Sequence, residues 1–360
     1  MRKNLFFTVF ACVCLASCVN ESENLLEENK GQRLTFGAPV MYNQSRAVVG
    51  EIAGTTYPTN EQFTVFGIEH EGVFDGWEAT NVIKDAQGNG FFPAAGEVVT
   101  KGDDNYWYTT KDYYLPTEPN RYLSFAAYSP STATANGTIS YGADGLTITG
   151  WRMPDTEMYD LMYSTQATDV TTDVVHIAFL HALSSIHIKF AMAATDGPHS
   201  VKVTKVAIKD TDIQNKGTFK DKITTEEDGT AAEWTNLTAT TDIPEEYAIL
   251  NSEYNVTTTA TEPAASADFL PIPQDLTDNM KLVISYEINM KNGEAPQVVT
   301  DLEIPFKDFK IGSTTNVTEK WERAKRYFYT VTFGGLTKIK FSPSVAGWTD
   351  VEDAGTYIIK

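Results

Sequence analysis

The chain has 360 residues, a formal net charge of −20 and a pI near 4.6. That length has room for two domains of ordinary size. The acidity, with no Lys/Arg cluster anywhere, excludes a nucleic-acid-binding face, which needs basic charge.

Arg2 and Lys3 precede an apolar run from Leu5 to Ala16, which ends in Leu15-Ala16-Ser17-Cys18. A basic start, a short apolar core and small residues before the cut describe a secretory signal peptide. The run is too short to span a bilayer as a mature helix. Its ending looks like a bacterial lipobox, which predicts a signal over 1–17, cleavage before Cys18 and acylation of that residue. Several acyl chains hold a protein to a membrane far more firmly than one. Cys12 and Cys14 leave with the signal and Cys18 carries lipid, so the mature chain has no thiol for a disulfide, for nucleophilic catalysis or for a metal. Residues 18–30, with Glu21, Glu23, Glu27 and Glu28, are too polar to fold and read as a flexible tether. Acidic residues at this place also resemble the export signal of Bacteroides-type surface lipoproteins.

In Leu34-Thr35-Phe36-Gly37-Ala38-Pro39-Val40 the residues Leu34, Phe36, Ala38 and Val40 alternate, which places them on one face of a strand. Pro39 cannot donate to a ladder and marks an edge strand or its end. The small, polar loop Asn43-Gln44-Ser45-Arg46-Ala47 follows. From there the texture is steadily β: 63–68, 106–108 and 122–128 are rich in strand formers, with a turn at Gly88-Asn89-Gly90 and a stop at Ser129-Pro130. Short runs of this kind, separated by Gly, Pro, Asn and Asp, predict β-sandwiches, and no long amphipathic helix is evident. A polar, Thr-rich stretch over 164–173 places a domain boundary, giving 31–172 and 173–360. In the second part Ile186, Ile188 and Phe190 share a face; in 201–208, Val201, Val203 and Lys205 are expected on one face and Val206 and Ile208 on the other after a change of phase. Residues 282–288 and 327–333 read as central strands, and Gly334-Gly335 turns the latter towards Ile339 and Phe341.

Catalytic motifs are missing: there is no Gly-x-Ser-x-Gly elbow, P-loop or His-Glu-x-x-His. His176 and His181 differ in parity on an extended strand and face opposite sides. With His187 they read as core or surface residues and not as metal ligands. Asp103-Asp104 and Glu226-Glu227-Asp228 lack the alternation of a calcium loop. Trp77, Tyr106, Trp107, Tyr108, Tyr113 and Tyr114 are either core fillers or an exposed sugar-stacking platform. No cofactor, metal or catalytic residue is expected.

Taken in order, several stretches resemble one family: the lipobox, the Leu-Thr-Phe strand, an Arg in a small-residue loop, Trp107, Tyr114-Leu115-Pro116 and 123–130. Asp160-Leu161-Met162, 179–186, Ile272-Pro273-Gln274, 321–329 and Phe341-Ser342-Pro343-Ser344-Val345 before Trp348 continue the match. The chain is similar over nearly its whole length to the fimbrillins, the type V pilins of Bacteroides-type bacteria. One departure is Arg323-Ala324-Lys325, where such proteins often carry Gly before the Lys. The resemblance implies an all-β chain of two transthyretin-like sandwich domains in tandem. It also implies export as a lipoprotein to the cell outer membrane, trimming after an arginine by an Arg-specific surface protease, and polymerisation with other fimbrial subunits by strand exchange.

Within that frame Arg46-Ala47 is the expected cut, because the loop exposes an extended backbone; Lys30 and Arg33 are competitors, and Arg33 abuts the strand. The first strand, with Leu34, Phe36, Ala38 and Val40, is then the removable one, within a segment spanning 33–46. Two C-terminal segments are candidate donors. Ile339, Phe341, Pro343 and Val345 repeat the same i, i+2 face, although this stretch equally serves to complete its own sandwich. Tyr357-Ile358-Ile359 is the other. The contrasting reading is a monomeric surface lipoprotein that binds glycans through exposed aromatics.

Overall fold

The structure, a computed structural model, describes residues 31–41, 57–143, 145–154, 158–164, 166–193, 199–209, 212–221, 232–240, 246–290, 293–309, 318–334, 339–347 and 357–358. The chain begins with β1 (Thr35–Phe36) and β2 (Val40–Met41), then β3 (Phe63–Glu71), β4 (Val82–Ile83), β5 (Glu97–Lys101), β6 (Trp107–Thr109) and β7 (Arg121–Ser129). A hairpin of β8 (Thr138–Gly142) and β9 (Gly145–Arg152) follows, then β10 (Met162–Ser164), β11 (Ala167–Val170), β12 (Val174–Val175) and β13 (Ala178–His181). The rest holds β14 (Ser185–Met192), β15 (His199–Lys209), β16 (Lys216–Asp221), β17 (Ala232–Thr238), β18 (Glu246–Leu250), β19 (Tyr254–Asn255) and β20 (Gln274–Asp275). It ends with β21 (Lys281–Met290), β22 (Gln297–Pro305), β23 (Lys320–Trp321), β24 (Lys325–Phe333), β25 (Ile339–Gly347) and β26 (Tyr357–Ile358). Apart from two short 3-10 turns, Ser131–Ala135 and Phe306–Asp308, the described residues contain no helix, as an all-β reading requires.

The first sheet runs β12-β1-β6-β5-β3-β7-β10-β13-β2, with β4 beside β3 and β11 beside β7. Its two ends are one ribbon. The segment that carries β1 and β2 runs parallel to the segment that carries β12 and β13, so the sheet closes on itself through this pair. Inside it lies an aromatic core that includes Phe36, Phe63, Trp107, Phe125 and Phe179.

Four smaller sheets follow: β14-β24-β25-β26, β18-β15-β21-β22 with β19 beside β15, β17-β16-β9-β8, and the pair β20-β23. The β17-β16-β9-β8 sheet joins a hairpin from the first half to two strands from the second, through pairs such as Phe219↔Ile148. The second core accordingly gathers Trp77 and Tyr128 with Phe190, Phe219 and Trp321. The change from the first sheet to the next comes between His181 and Ser185, later in the chain than residues 172–173. The Thr-rich stretch is itself in the sheet: β11 pairs with β7, because Thr and Val suit a half-buried strand whatever their polarity.

The central strands lie where their sequences place them: β21 between β15 and β22, and β24 between β14 and β25. Ile186, Ile188 and Phe190 are all buried. The change of phase in β15 is a bulge between Val203 and Lys205, and it brings Val206 and Ile208 to the buried side with Val201 and Val203.

Candidate functional site: the slot filled by the first strand

The first strand is not at an edge. On one side Thr35 N–H donates to Asp173 O at 2.8 Å, Gly37 N–H to Val175 O at 2.9 Å and Val40 N–H to Ile177 O at 2.9 Å. On the other, Leu34 N–H donates to Tyr113 O at 2.8 Å, Leu115 N–H to Gln32 O at 2.9 Å, and Phe36 pairs with Trp107. The segment therefore lies as a wedge between the β6 side and the β12–β13 ribbon.

Only half of the expected face points inwards. Leu34 and Phe36 are buried at 2% and 0% exposure, and the Phe36 ring meets Phe63 and Phe125 edge-on at 6.1 and 5.9 Å. Ala38 and Val40, expected on the same face, point out instead; Pro39 and Met41 take their place inside. Pro39 is the physical cause. Successive donors 35 and 37 meet acceptors 173 and 175, and the next acceptor, Ile177, should meet residue 39. Proline has no N–H, so Val40 donates instead. From Phe36↔Val175 to Val40↔Ala178 the first strand advances four residues and its partner three (40 − 36 against 178 − 175). The extra residue is a bulge, and it inverts every side chain after it.

Gly37 sits at the start of this bulge and is buried. A Cβ there would lie 2.7 Å from Nδ1 and 2.8 Å from Cε1 of His176, and 3.5 Å from Cγ1 of Val174. At the mouth of the slot Arg33 forms an exposed ion pair with Asp112 at 2.6 Å, and its guanidinium lies 4.7 Å from the centre of the Tyr108 ring. Tyr113 donates from its hydroxyl to Glu97 Oε1 at 2.5 Å; burial, then this carboxylate, push the phenol's pKa up, so it stays a donor. Tyr57, buried against the same core, is raised chiefly by desolvation, and its hydroxyl lies 2.7 Å from Ser129 Oγ.

The other residues singled out fall elsewhere. Cys18, Arg46, Ala47 and Ile359 lie outside the described residues, as do Glu226-Glu227-Asp228. Ile339, Phe341 and Val345 belong to β25, whose nine residues pair with Phe333 through Lys325 of β24. Tyr357 and Ile358 form β26, which pairs with Phe341 and Lys340. The three histidines do not converge. His176 is exposed beside Gly37, His181 Nδ1 is 2.7 Å from the buried Asp160 carboxylate, and His187 lies between Ser185 and Glu262. Ser185, His187 and Glu262 have the order of a hydrolytic relay, but Ser185 is 1% exposed and leaves no room for a substrate carbonyl. Among the described residues no group of three or more His, Cys, Asp or Glu could hold a metal.

The aromatics do not form one platform: Trp77 belongs to the second core and Trp107 to the first, and Tyr106 is the exposed member, at 41%. A cleft of about 730 Å³ opens elsewhere, beside Trp234, Gln274 and Arg323. The Gln274 amide at its base is already bonded, to Gln214 and Ile272. The slot's internal pattern and the part played by His176 escaped sequence reasoning; the proline inside an alternating run was the signal that held both.

A family model described as Fimbrillin-like matches residues 50–348. The chain belongs to this family. Among solved structures, this fimbrillin-like chain is similar to a fimbrial protein from Bacteroides vulgatus ATCC 8482, with TM-score 0.59 and 18% identity over 88% of this chain and 100% of that one. A fimbrial assembly protein from Parabacteroides distasonis ATCC 8503 matches at TM-score 0.37 and 14% identity, over 91% of this chain and 100% of that one. No curated protein matches the chain. The first likeness is one of fold, and it agrees with the all-β architecture described above.

Proposed function

We propose that this chain is a structural subunit of a surface fimbrium. It is exported as a lipoprotein through Cys18, held at the outer membrane, trimmed between Arg46 and Ala47 by an Arg-specific protease, and joined to its neighbours by strand exchange. Membership of the fimbrillin-like family supports the subunit role. The observation that carries the exchange reading is the wedge: one short N-terminal segment closes the first sheet and fills its core. Leu34, Phe36 and Met41 are buried, and each contributes roughly 1.5–3 kcal/mol. Losing all three would cost about 5–9 kcal/mol, against a whole-domain stability of about 5–15 kcal/mol. A trimmed subunit is therefore driven to take up another strand, whose backbone supplies the ladder and whose side chains refill the core.

Arg33 is a poor alternative cut site. It bridges to Tyr114 in the sheet and is tied to Asp112, whereas a protease needs a free, extended backbone. The donor comes from the C-terminal region, from Ile339–Val345 or from Tyr357–Ile359. The glycan-binding alternative loses its footing with Trp77 and Trp107 both in cores.

The experiment is polymerisation of purified chain after treatment with an Arg-specific protease, comparing wild type with Arg46→Ala. Wild type should form fibres, and Arg46→Ala should stay monomeric with its first strand retained. Equal fibre formation by both would contradict the proposal.

A further inference from the structure

The cleft beside Trp234 is built from unlike parts. Strand β17 contributes Trp234 and Leu237, the apolar part of its lining. The Trp234 indole N–H donates to Ala182 O at 2.7 Å, and its ring lies 5.3 Å from that of Phe219. Gly217 makes room for both side chains: a Cβ there would meet Leu237 Cδ2 at 2.7 Å and Trp234 Cε3 at 3.1 Å. The rest of the lining is polar, with three carboxylates, Asp212, Asp275 and Glu322, against three cations, Lys320, Arg323 and Lys325. Parts of it are held in place. The Thr277 hydroxyl and the Asn279 amide donate to Asp212 Oδ2 at 3.2 and 2.7 Å, and Glu322 N–H donates to the Tyr327 hydroxyl at 2.8 Å. Two lining groups are uncommitted: among the described residues the Gln214 side-chain amide has no hydrogen-bond partner and Lys325 Nζ has no ion pair.

This lining selects by charge and by chemistry. An anion meets the three carboxylates, a cation meets the three basic side chains, and an apolar molecule strips water from all of them without pairing any. A peptide strand could pair along the outer edge of β17, but Asn236, with φ at 53°, breaks that strand, and its register shifts between Lys216 and Thr218 of β16. A neutral sugar meets both demands. Its C–H face covers an indole as apolar surface, and each hydroxyl both donates and accepts, so one ring serves lining groups of either sign. The exposed Lys320–Glu322 pair, 3.0 Å apart, opens to a hydroxyl at little cost. At about 730 Å³ the cleft has the size of an ordinary ligand site, about 300–1,000 Å³. We infer that the Trp234 cleft is a binding site for a neutral oligosaccharide, with Trp234 against a sugar ring and Gln214 and Lys325 bonded to its hydroxyls. The aromatics of the first half have no part in it. The site lies wholly beyond Ala47 in the chain and does not depend on how subunits join.

The test titrates the full chain calorimetrically with uncharged trisaccharides of glucose, galactose, mannose and N-acetylglucosamine. At least one should bind with a Kd at or below about 1 mM. Trp234→Ala should weaken that binding at least about tenfold, and Gln214→Ala and Lys325→Met by about threefold to tenfold each, the worth of a hydrogen bond. Trp234 also packs on Phe219, so denaturation midpoints accompany every variant. Gln214→Ala and Lys325→Met should keep the wild-type midpoint, and their weaker binding then reads the contact alone. A sulfated form of the bound trisaccharide should bind no better than the neutral one, and a neutral tetrapeptide rich in Ser and Thr should not bind. The assignment is overturned if no trisaccharide binds at about 10 mM, if binding is unchanged in Trp234→Ala and Gln214→Ala, or if the sulfated sugar or the peptide is preferred. Each of those results leaves the subunit reading standing, because fibre formation tests it separately.

Discussion

Ala324 holds φ at 55°, in the left-handed region that side chains disfavour. The turn is anchored all the same: Ala324 N–H donates to Leu183 O at 2.9 Å, Ser184 Oγ to Glu322 O at 2.9 Å, and Arg323 to the Tyr163 hydroxyl at 2.5 Å. It fastens the start of β24 to the junction between the first sheet and β14. Glycine adopts this φ without the steric penalty a Cβ incurs. Ala324→Gly should relieve about 1–2 kcal/mol of strain and lose about 0.5–1 kcal/mol to backbone entropy. The net result is a stabilisation of up to about 1.5 kcal/mol, seen as a higher denaturant midpoint at unchanged slope. A lower midpoint would show that the anchoring contacts demand the methyl group.

Asp221, at the end of β16, is 6% exposed, and burial raises its carboxyl to about 6, opposed in part by Arg323. The shift is upward, so folding favours the protonated form. Its stabilising effect is complete below the unfolded carboxylate range near 3.8 and is lost as pH rises through about 6. Asp221→Asn should therefore be more stable than wild type at pH 8, by up to about 3 kcal/mol, and nearly equal at pH 3.5. Denaturation midpoints at the two pH values check this; a larger difference at pH 3.5 than at pH 8 would contradict it.

At the scale of the element, the first strand shows how one residue redirects its neighbours. Phe36→Ala should cost about 3–5 kcal/mol through the cavity left among Phe63 and Phe125. Val40→Ala, at a site 45% exposed, should stay within about 0.5 kcal/mol; equilibrium unfolding of the two variants measures both. The alternation of Leu34, Phe36, Ala38 and Val40 made the strand legible in the sequence, and the same was true of β14, β21 and β24. Which half of it faced inwards was not legible. A proline interrupts the donor series, and whether the chain ends there or bulges depends on the partner ladder, 173–179, which is distant in sequence. The bulge in β15 was visible as a change of phase because its flanking apolar runs are long enough to show both registers. The Thr-rich stretch 164–173 has the composition of a loop, and pairing with β7 makes its residues 167–170 a strand. Trp77 and Trp107 were ambiguous between core and surface until the sheets placed each in a separate core.

Taken whole, the molecule combines a first sheet closed by an N-terminal segment with a second core that both halves share, joined by the β9–β16 pairing. The closing segment carries enough buried apolar surface to matter for the stability of its sheet, and the sequence that follows it, 42–56, contains a single arginine, Arg46. The anchor makes its own prediction. Metabolic labelling with a fatty-acid probe should mark wild type and miss Cys18→Ser, and equal labelling of both would refute lipidation at Cys18. The most direct test of assembly is the N-terminal residue of subunits recovered from surface fibres, read by mass spectrometry of the terminal peptide. Removal of the first strand predicts that these subunits begin at Ala47. Assembled subunits that begin at Cys18, with residues 33–41 still attached, would contradict it.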